Sequence, residues 1–334
     1  TISDDLAVGG DIITTSAGAS NFRAGVNAGN SIASGGNYNV AVGDEAGTAL
    51  TTGDDSVFVG YAAGDAISTG TQNVAIGSNA LGTGVTATNN VAVGRASMAA
   101  TLGSENVAVG VNTLAANQGG SHSVAIGSAA LTAQNPASGN VDFYNVAVGS
   151  SAGTAITTGT KNTLIGGLAG DALNTGGANV AVGYAALSTE DGNGNNVAVG
   201  YLALTTQNTG ADGHNTGVGH KAGRNITTGV QNTFVGALVG DASTEGVHNV
   251  AMGYAALTTD TKGNYSVAIG AGALATQNFT TATSAYNVCV GEDAGNDITT
   301  GIGNTLIGGL AGDVLNDADS NTAVGYLALT ADTL

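Results

Sequence analysis

Asn179-Val180-Ala181-Val182-Gly183 is the phrase from which this chain is built. The same five residues, or close variants of them, end at seventeen glycines, which we call marker glycines. Most neighbouring marker glycines are 17 residues apart, but three gaps are longer, at 22, 19 and 21 residues. Such a fixed short period is typical of a solenoid, in which each repeat forms one turn of the backbone. The marker glycines lie at 43, 60, 77, 94, 110, 127, 149, 166, 183, 200, 219, 236, 253, 270, 291, 308 and 325.

Residues at equivalent positions of successive repeats form columns with a regular pattern. Four residues before the marker glycine stands Asn in fourteen repeats and Ser in the other three. Val or Thr follows, then a mostly small residue, then Val, Ile or Met directly before the glycine. This alternation over β-branched residues predicts a short strand with one face inward. The glycine predicts a corner that needs a positive φ or a close approach of two backbones.

The sequence therefore predicts an all-β fold, a parallel β-solenoid (β-roll) of about seventeen 17-residue turns that runs continuously over residues 39–334. Residues 1–38 are predicted to be an irregular N-terminal entry segment with one or two degenerate turns. Asp5–Gly9 and Asn21–Gly25 resemble decayed copies of the phrase.

The Asn column has two interpretations. Stacked turns would place each Asn directly over the next, and such columns can form amide ladders. Alternatively, Asn suits the turn before the strand through local bonds between its side chain and the backbone. Both can hold at once. The predicted structural ladder contains Asn145, Asn162, Asn179, Asn196, Asn215, Asn232 and Asn249.

A second segment follows each marker glycine and occurs in two types, one with an Ala-Gly pair and one with Leu or Met in place of that glycine. Four large residues interrupt the small-residue column of the strand, and only beside turns of the Ala-Gly type. We expect their side chains to fill the space left by the missing leucine and to keep the core volume constant. These residues are Phe58, Leu164, Phe234 and Leu306.

Composition excludes several classes of protein. The 56 glycines lack the three-residue period of collagen, and the formal charge of −18 disfavours binding to nucleic acid or anionic membranes. One cysteine, Cys289, allows no intramolecular disulfide, and no apolar run is long enough to span a membrane. No nucleotide-binding loop, metal-ligand spacing or paired carboxylates stand out. We therefore predict no enzyme activity, no cofactor and no metal site.

Two repeated motifs are candidate binding surfaces. Asp65, Asp171, Asp241 and Asp313 each follow a glycine, as in calcium-binding β-rolls, but they are too sparse along the repeats, so turn and solubility roles are preferred. Thr-Thr pairs such as Thr227-Thr228 suggest an ice-binding face, but the pairs shift position between the two turn types.

The three long gaps open as insertions at Thr132–Tyr144, Thr205–His214 and Ala275–Tyr286. Loops commonly carry binding residues, and aromatic side chains suit sugar and protein surfaces. The alternative is that these loops are spacers, or that their aromatics cover seams between chains. The receptor-contact candidates are Phe143, Tyr144, His214, Phe279 and Tyr286.

The phrase followed by an Ala-rich half-turn resembles the head repeats of YadA-like trimeric autotransporter adhesins and the repeat regions of trimeric phage and marine-virus tail fibres. The unit Asn321–Thr330 is similar to fibres that carry a C-terminal peptidase S74 chaperone, and Leu6–Ile12 resembles their entry segments. The resemblance implies a left-handed parallel β-roll, assembled as a parallel homotrimer, on a virion tail or a bacterial cell surface.

The resemblance also implies the function: an extracellular or virion-attached fibre or adhesin shaft that performs host or surface attachment. Its partners would be two further copies of itself, a host cell-surface glycan or protein, and other fibre or virion proteins at the ends. The alternatives are a purely structural spacer with recognition elsewhere and, after it, an ice-binding solenoid. An enzyme on a β-helix would need two carboxylates facing one cleft, whereas here the acidic residues are scattered through turns.

Overall fold

The computed structural model is an all-β parallel solenoid and describes residues 16–136, 139–210 and 212–330. Within these ranges there is no helix, and hence no helical segment that could cross a membrane. Each repeat contributes one three-residue strand, and four two-residue strands lie beside the first and third insertions. The strands are β1 Phe22–Ala24, β2 Val40–Val42, β3 Val57–Val59, β4 Val74–Ile76, β5 Val91–Val93, β6 Val107–Val109, β7 Gly120–Ser121, β8 Val124–Ile126, β9 Val141–Asp142, β10 Val146–Val148, β11 Thr163–Ile165, β12 Val180–Val182, β13 Val197–Val199, β14 Thr216–Val218, β15 Thr233–Val235, β16 Val250–Met252, β17 Gly263–Asn264, β18 Val267–Ile269, β19 Thr283–Ser284, β20 Val288–Val290, β21 Thr305–Ile307 and β22 Thr322–Val324.

The chain divides into two compact units. The first comprises Thr1–Ser128 and Asn135–Asp142, and the second comprises Ala129–Gln134 and Phe143–Leu334. Among the described residues, the first unit contains seven three-residue strands and the second contains eleven. Inside each unit neighbouring strands pair in parallel with a register of one repeat, as β12 does with β13. The predicted fold class is confirmed.

The degenerate repeat at Asn21–Gly25 also forms a turn, because β1 pairs in parallel with β2. The other degenerate copy, at Asp5–Gly9, lies outside the described residues.

The strands have the predicted alternation. In β12 the central Ala181 is fully buried, while Val180 and Val182 are half-buried on the opposite face. A small residue in the middle allows the inner face to approach the second segment of the same turn closely. The outer face is formed by the β-branched residues, which favour extended backbone.

The marker glycines turn the corner because two backbones meet there. Gly183 has φ +138°, and a Cβ added to it would lie 2.7 Å from the carbonyl carbon of Gly200 in the next turn. Any side chain would therefore clash with main chain that cannot move aside. Together with the positive φ that all seventeen marker glycines share, this explains why the closing residue of the phrase is glycine.

The second segment is not a strand, and its conformation was not predicted. Residues two and four positions after the marker glycine both have positive φ, for example +50° at Ala185 and +53° at Leu187. Leu187 N–H donates to the carbonyl of Ala203 in the next turn at 3.0 Å, so this side of each turn is also hydrogen-bonded to its neighbour. A left-handed leucine costs about 1–2 kcal/mol. The complete burial of its side chain offsets that cost.

The large residues of the small-residue column do fill the space beside the glycine-type turns. Phe58 is fully buried, and a Cβ added to Gly47 would lie 2.8 Å from its ring. Leu164 meets Gly153 and Gly170 in the same way, at 2.7 and 2.8 Å. The same contact occurs at Phe234 and Leu306. Each large residue thus fills space beside the glycines of two successive turns.

The Asn column is a hydrogen-bonded ladder between turns, and some of its members also make the local bond of the second interpretation, as Asn196 Nδ2 does to the carbonyl of Gly194 at 3.1 Å. Asn179 is fully buried, and its Oδ1 accepts bonds from the backbone N–H of Asn196 at 3.0 Å and from the Asn196 Nδ2 at 3.2 Å. Its own Nδ2 donates to the carbonyl of Asn193 at 3.0 Å. The amide therefore satisfies backbone groups that the corner leaves without a partner in the sheet.

Candidate binding surface

The five candidate contact residues of the insertions separate into two groups. Phe143 is fully buried and Phe279 is 6% exposed, so both are core residues whose rings offer no surface to a receptor. This corrects the sequence-based assignment of these two as receptor contacts. The remaining three are exposed, with Tyr144 at 52% and Tyr286 at 59%. His214 is exposed as well.

These three exposed residues share one column, directly before the ladder Asn, which we call the pre-Asn column. Each has a left-handed backbone, with φ of +52° at Tyr144, +48° at His214 and +50° at Tyr286. The same conformation recurs in this column at every repeat from Tyr38 onward. Exposure therefore follows from the column and not from the insertion.

Aromatic residues in the pre-Asn column stack along the second unit. His248 and Tyr265 have ring centroids 4.9 Å apart, and Tyr265 and Tyr286 are 5.1 Å apart. The rings are within 12° of parallel. Their spacing follows the ~4.8 Å distance between neighbouring strands.

A second aromatic series lies directly after the marker glycine, in what we call the post-Gly column. The ring centroids of Tyr184 and Tyr201 are 5.8 Å apart, and those of Tyr201 and His220 are 5.5 Å apart. Tyr184 is 52% exposed and Tyr201 is 48% exposed. This series lies outside the insertions and was not among the candidates predicted from the sequence. Its signal was present in the sequence, because tyrosine follows the marker glycine at Tyr61, Tyr184, Tyr201, Tyr254 and Tyr326.

A buried glutamine closes the base of each insertion, and sequence reasoning missed this as well. The three glutamines are fully buried, and each stands seven residues after a marker glycine. Each accepts a bond from the ladder Asn at the far end of its insertion. The distances are 2.9 Å for Gln134 and Asn145, 3.2 Å for Gln207 and Asn215, and 2.8 Å for Gln277 and Asn287.

In the second and third insertions the glutamine also binds a buried carboxylate from the preceding turn. Gln277 Nε2 donates to Asp260 Oδ2 at 2.5 Å, and Gln207 Nε2 donates to Glu190 Oε2 at 3.3 Å. Asp260 Oδ1 further accepts the backbone N–H of Phe279 at 3.1 Å, which ties the third insertion to the core. Burial raises the pKa of Asp260 above the ordinary range of an aspartate.

Asp142, near the end of the first insertion, makes a charged contact with His122 of the preceding turn. His122 lies between two carboxylates, with its Nε2 3.1 Å from Glu105 and its Nδ1 3.0 Å from Asp142. All three side chains are partly exposed, so the contact contributes little to stability. It holds the end of the insertion against the pre-Asn column.

The aspartates of the Gly-Asp motif lie in the second segments. Asp241 accepts a bond from Thr258 at 2.7 Å and lies 3.7 Å from Arg224, while burial raises the pKa of Asp65 and Asp171. In the part of the chain that the structure describes, no three His, Cys, Asp or Glu side chains are grouped to hold a metal ion. Burial raises the pKa of the Cys289 thiol to about 12, so the thiol is protonated at neutral pH.

Comparison with protein-family models, with curated proteins and with solved structures found no match to this chain.

Proposed function

We propose that the chain is a shaft segment of an extracellular or virion-attached fibre, that it assembles as a parallel homotrimer, and that it serves attachment to a host or other surface. The observation that carries the proposal is the outer face of the strands. Two outward residues per strand form an uncharged, largely β-branched stripe on a strongly acidic chain.

The stripe is continuous within each unit. From β2 onward the three-residue strands place only Val or Thr at their first position and only Val, Ile or Met at their third. These side chains are half-buried or exposed, with 40% exposure at Ile165, 45% at Met252 and 69% at Val324 in the last described turn. A contiguous exposed apolar surface of this kind marks an interaction site in soluble proteins.

A second copy of the chain is the partner that fits this stripe. Copies that each carry a formal charge of −18 repel one another and can approach only through an uncharged face. On the second unit, eleven strands at ~4.8 Å spacing and a width of about 10 Å cover about 500 Å². A stable interface needs about 800 Å² per partner. The stripe would therefore form the interface core, with the exposed aromatic residues of the pre-Asn column contributing to its rim.

Light scattering coupled to size exclusion tests the assembly. We expect a mass about three times the 31.9 kDa of one chain. Val182→Glu and Val199→Glu place a charge in the stripe and should yield monomers that keep the circular dichroism of the parent. Thr175→Glu, at an exposed position outside the stripe, is the control and should remain trimeric. A monomeric parent would refute the trimer, and thermal hysteresis would then test the ice-binding alternative.

Attachment is tested separately from assembly. The labelled trimer is expected to bind host cells or immobilised surface glycans, and to compete with intact fibres for the same sites. A stable trimer that binds neither would leave the chain as a structural spacer, with recognition carried by another protein.

A further inference from the structure

We propose that the second unit carries a saccharide-binding slot in the post-Gly column, between His220 and Tyr254 and over Ala237, which takes one pyranose ring of a neutral glycan. The inference rests on the proposed attachment function and adds to it a place on the molecule and a class of ligand. It comes from a single alanine that separates three stacked aromatic rings from a fourth, unstacked one.

The backbone fixes the register of this column. Leu238 N–H donates to the carbonyl of His220 at 2.9 Å, and Ala255 N–H donates to the carbonyl of Ala237 at 3.0 Å. His220, Ala237 and Tyr254 therefore occupy the same position in three successive turns. Tyr184 and Tyr201 occupy this position in the two turns before His220, and the three rings form one stacked row.

The alanine leaves a gap of one ring in the row. Neighbouring rings in this column stand 5.8 and 5.5 Å apart. Two such steps separate the ring of His220 from that of Tyr254, roughly 11 Å in all. A ring placed midway would therefore be within the ordinary stacking distance of about 4.5–7 Å from each of them. Among the described residues Tyr254 has no stacked aromatic partner, and it is 63% exposed.

Tyrosines in this column lean over the preceding turn, and this closes the slot from one side. In two cases the equivalent residue of the preceding turn is a glycine. A Cβ added to Gly167 would lie 3.6 Å from the Tyr184 ring, and one added to Gly309 would lie 3.5 Å from the Tyr326 ring. Because Tyr254 occupies the same column, we expect its ring to lean over the methyl group of Ala237 in the same way. The slot then has the His220 ring on one side, the Tyr254 ring on the other and the Ala237 methyl as its floor.

A pyranose ring matches this environment. Its two faces carry C–H groups that pack on aromatic rings, while its edge carries hydroxyls that need hydrogen-bond partners. The Tyr254 hydroxyl and the His220 imidazole can supply such partners. The formal charge of −18 disfavours acidic sugars, so the ligand is assigned as a neutral glycan.

The test uses the assembled protein and titration calorimetry with neutral oligosaccharides of glucose, galactose, mannose and N-acetylglucosamine. Wild type should bind at least one of them. Tyr254→Ala removes one wall and should weaken binding about tenfold. Ala237→Tyr fills the slot with a ring of the chain itself and should abolish binding, because tyrosine already occurs in this column with its neighbours stacked. Ala271→Tyr adds a ring one turn beyond Tyr254 and leaves the slot open, so it should bind like wild type.

Several results would overturn the proposal. It fails if wild type binds none of the neutral sugars, if Ala237→Tyr binds as well as wild type, or if heparin and sialylated oligosaccharides bind more tightly than neutral ones. Binding of N-acetyltryptophanamide alone would point to an aromatic side chain of a protein partner instead. Because the slot lies within one chain, its failure leaves the trimer mass unchanged, whereas a monomeric parent refutes the fibre without removing the slot.

Discussion

Phe234 offers the sharpest test of how this solenoid keeps its core filled. The ring is fully buried, and a Cβ added to Gly240 would lie 2.6 Å from it. One turn later the exchange is reversed, because Ala251 is small and Leu257 occupies the position equivalent to Gly240. The backbone is alike in the two cases, with φ +52° at Gly240 and +51° at Leu257. Phe234→Ala together with Gly240→Leu should therefore convert one type of turn into the other.

The expected free energies follow from burial and strain. Phe234→Ala alone should lower the free energy of unfolding by about 3–5 kcal/mol, since it leaves a cavity in a packed core. Gly240→Leu alone should cost about 1–3 kcal/mol from overpacking against the ring, plus about 1–2 kcal/mol for a left-handed leucine. In the Phe234→Ala background the same leucine gains about 1.5–3 kcal/mol from burial. Its net effect there should be a stabilisation of about 1 kcal/mol.

The effect of Gly240→Leu should thus change sign with the residue at position 234. Urea denaturation followed by circular dichroism measures all four members of the cycle, and Gly240→Ala in both backgrounds separates backbone strain from side-chain volume. Equal destabilisation by Gly240→Leu in the presence and absence of the Phe234 ring would show that the two positions do not share one space. The account of core volume would then be wrong.

Three further predictions concern single side chains. Asn179→Ala should destabilise the fold by about 1–3 kcal/mol in urea denaturation, since it leaves the buried N–H of Asn196 unsatisfied; Asn179→Ser should cost less, and equal costs would argue against the ladder. Gly183→Ala should lower the melting temperature measurably, because it combines strain of about 1–3 kcal/mol with the backbone clash at the corner, and a neutral result would contradict the close approach. Burial raises the pKa of Asp260 in the folded chain, so the native state takes up a proton more readily than the unfolded state. The stability of the second unit should therefore fall as pH rises through that raised value, and Asp260→Asn should flatten the dependence of melting temperature on pH; an unchanged slope would exclude this carboxyl as its source.

Much of the fold could be predicted because every stacked turn has the same backbone path and the same steric constraints. The marker glycine, the alternation in β12 and the exchange between Phe234 and its neighbouring glycines are all visible as columns. A residue type that recurs every 17 positions indicates that the space around the side chain and the backbone conformation are the same in each turn. The sequence left open whether the Asn column forms a ladder, suits a local turn or does both, because it does not show which backbone groups are left without partners.

The binding surface was harder to predict, since exposure is decided by the path of the chain and not by residue type. Phe143 and Tyr144 are neighbours in sequence, yet one is in the core and the other is exposed, because the left-handed backbone at Tyr144 turns its side chain outward. The stacking of Tyr184 on Tyr201 appears only once successive turns are brought within one strand spacing of each other.

By itself, the sequence determined the period, the solenoid, the corner at each marker glycine and the large residues that fill space beside the glycine-type turns, because these depend on short-range sterics repeated many times. The tertiary structure alone decided three other features: the left-handed leucines of the second segment, the glutamines that close the insertions, and the gap in the aromatic row over Ala237. Each of these depends on what the next turn places beside a residue. Gln207 bonds Asn215, 8 positions further along the chain, and Leu187 bonds Ala203, 16 positions further, so the sequence alone does not show that these residues are neighbours.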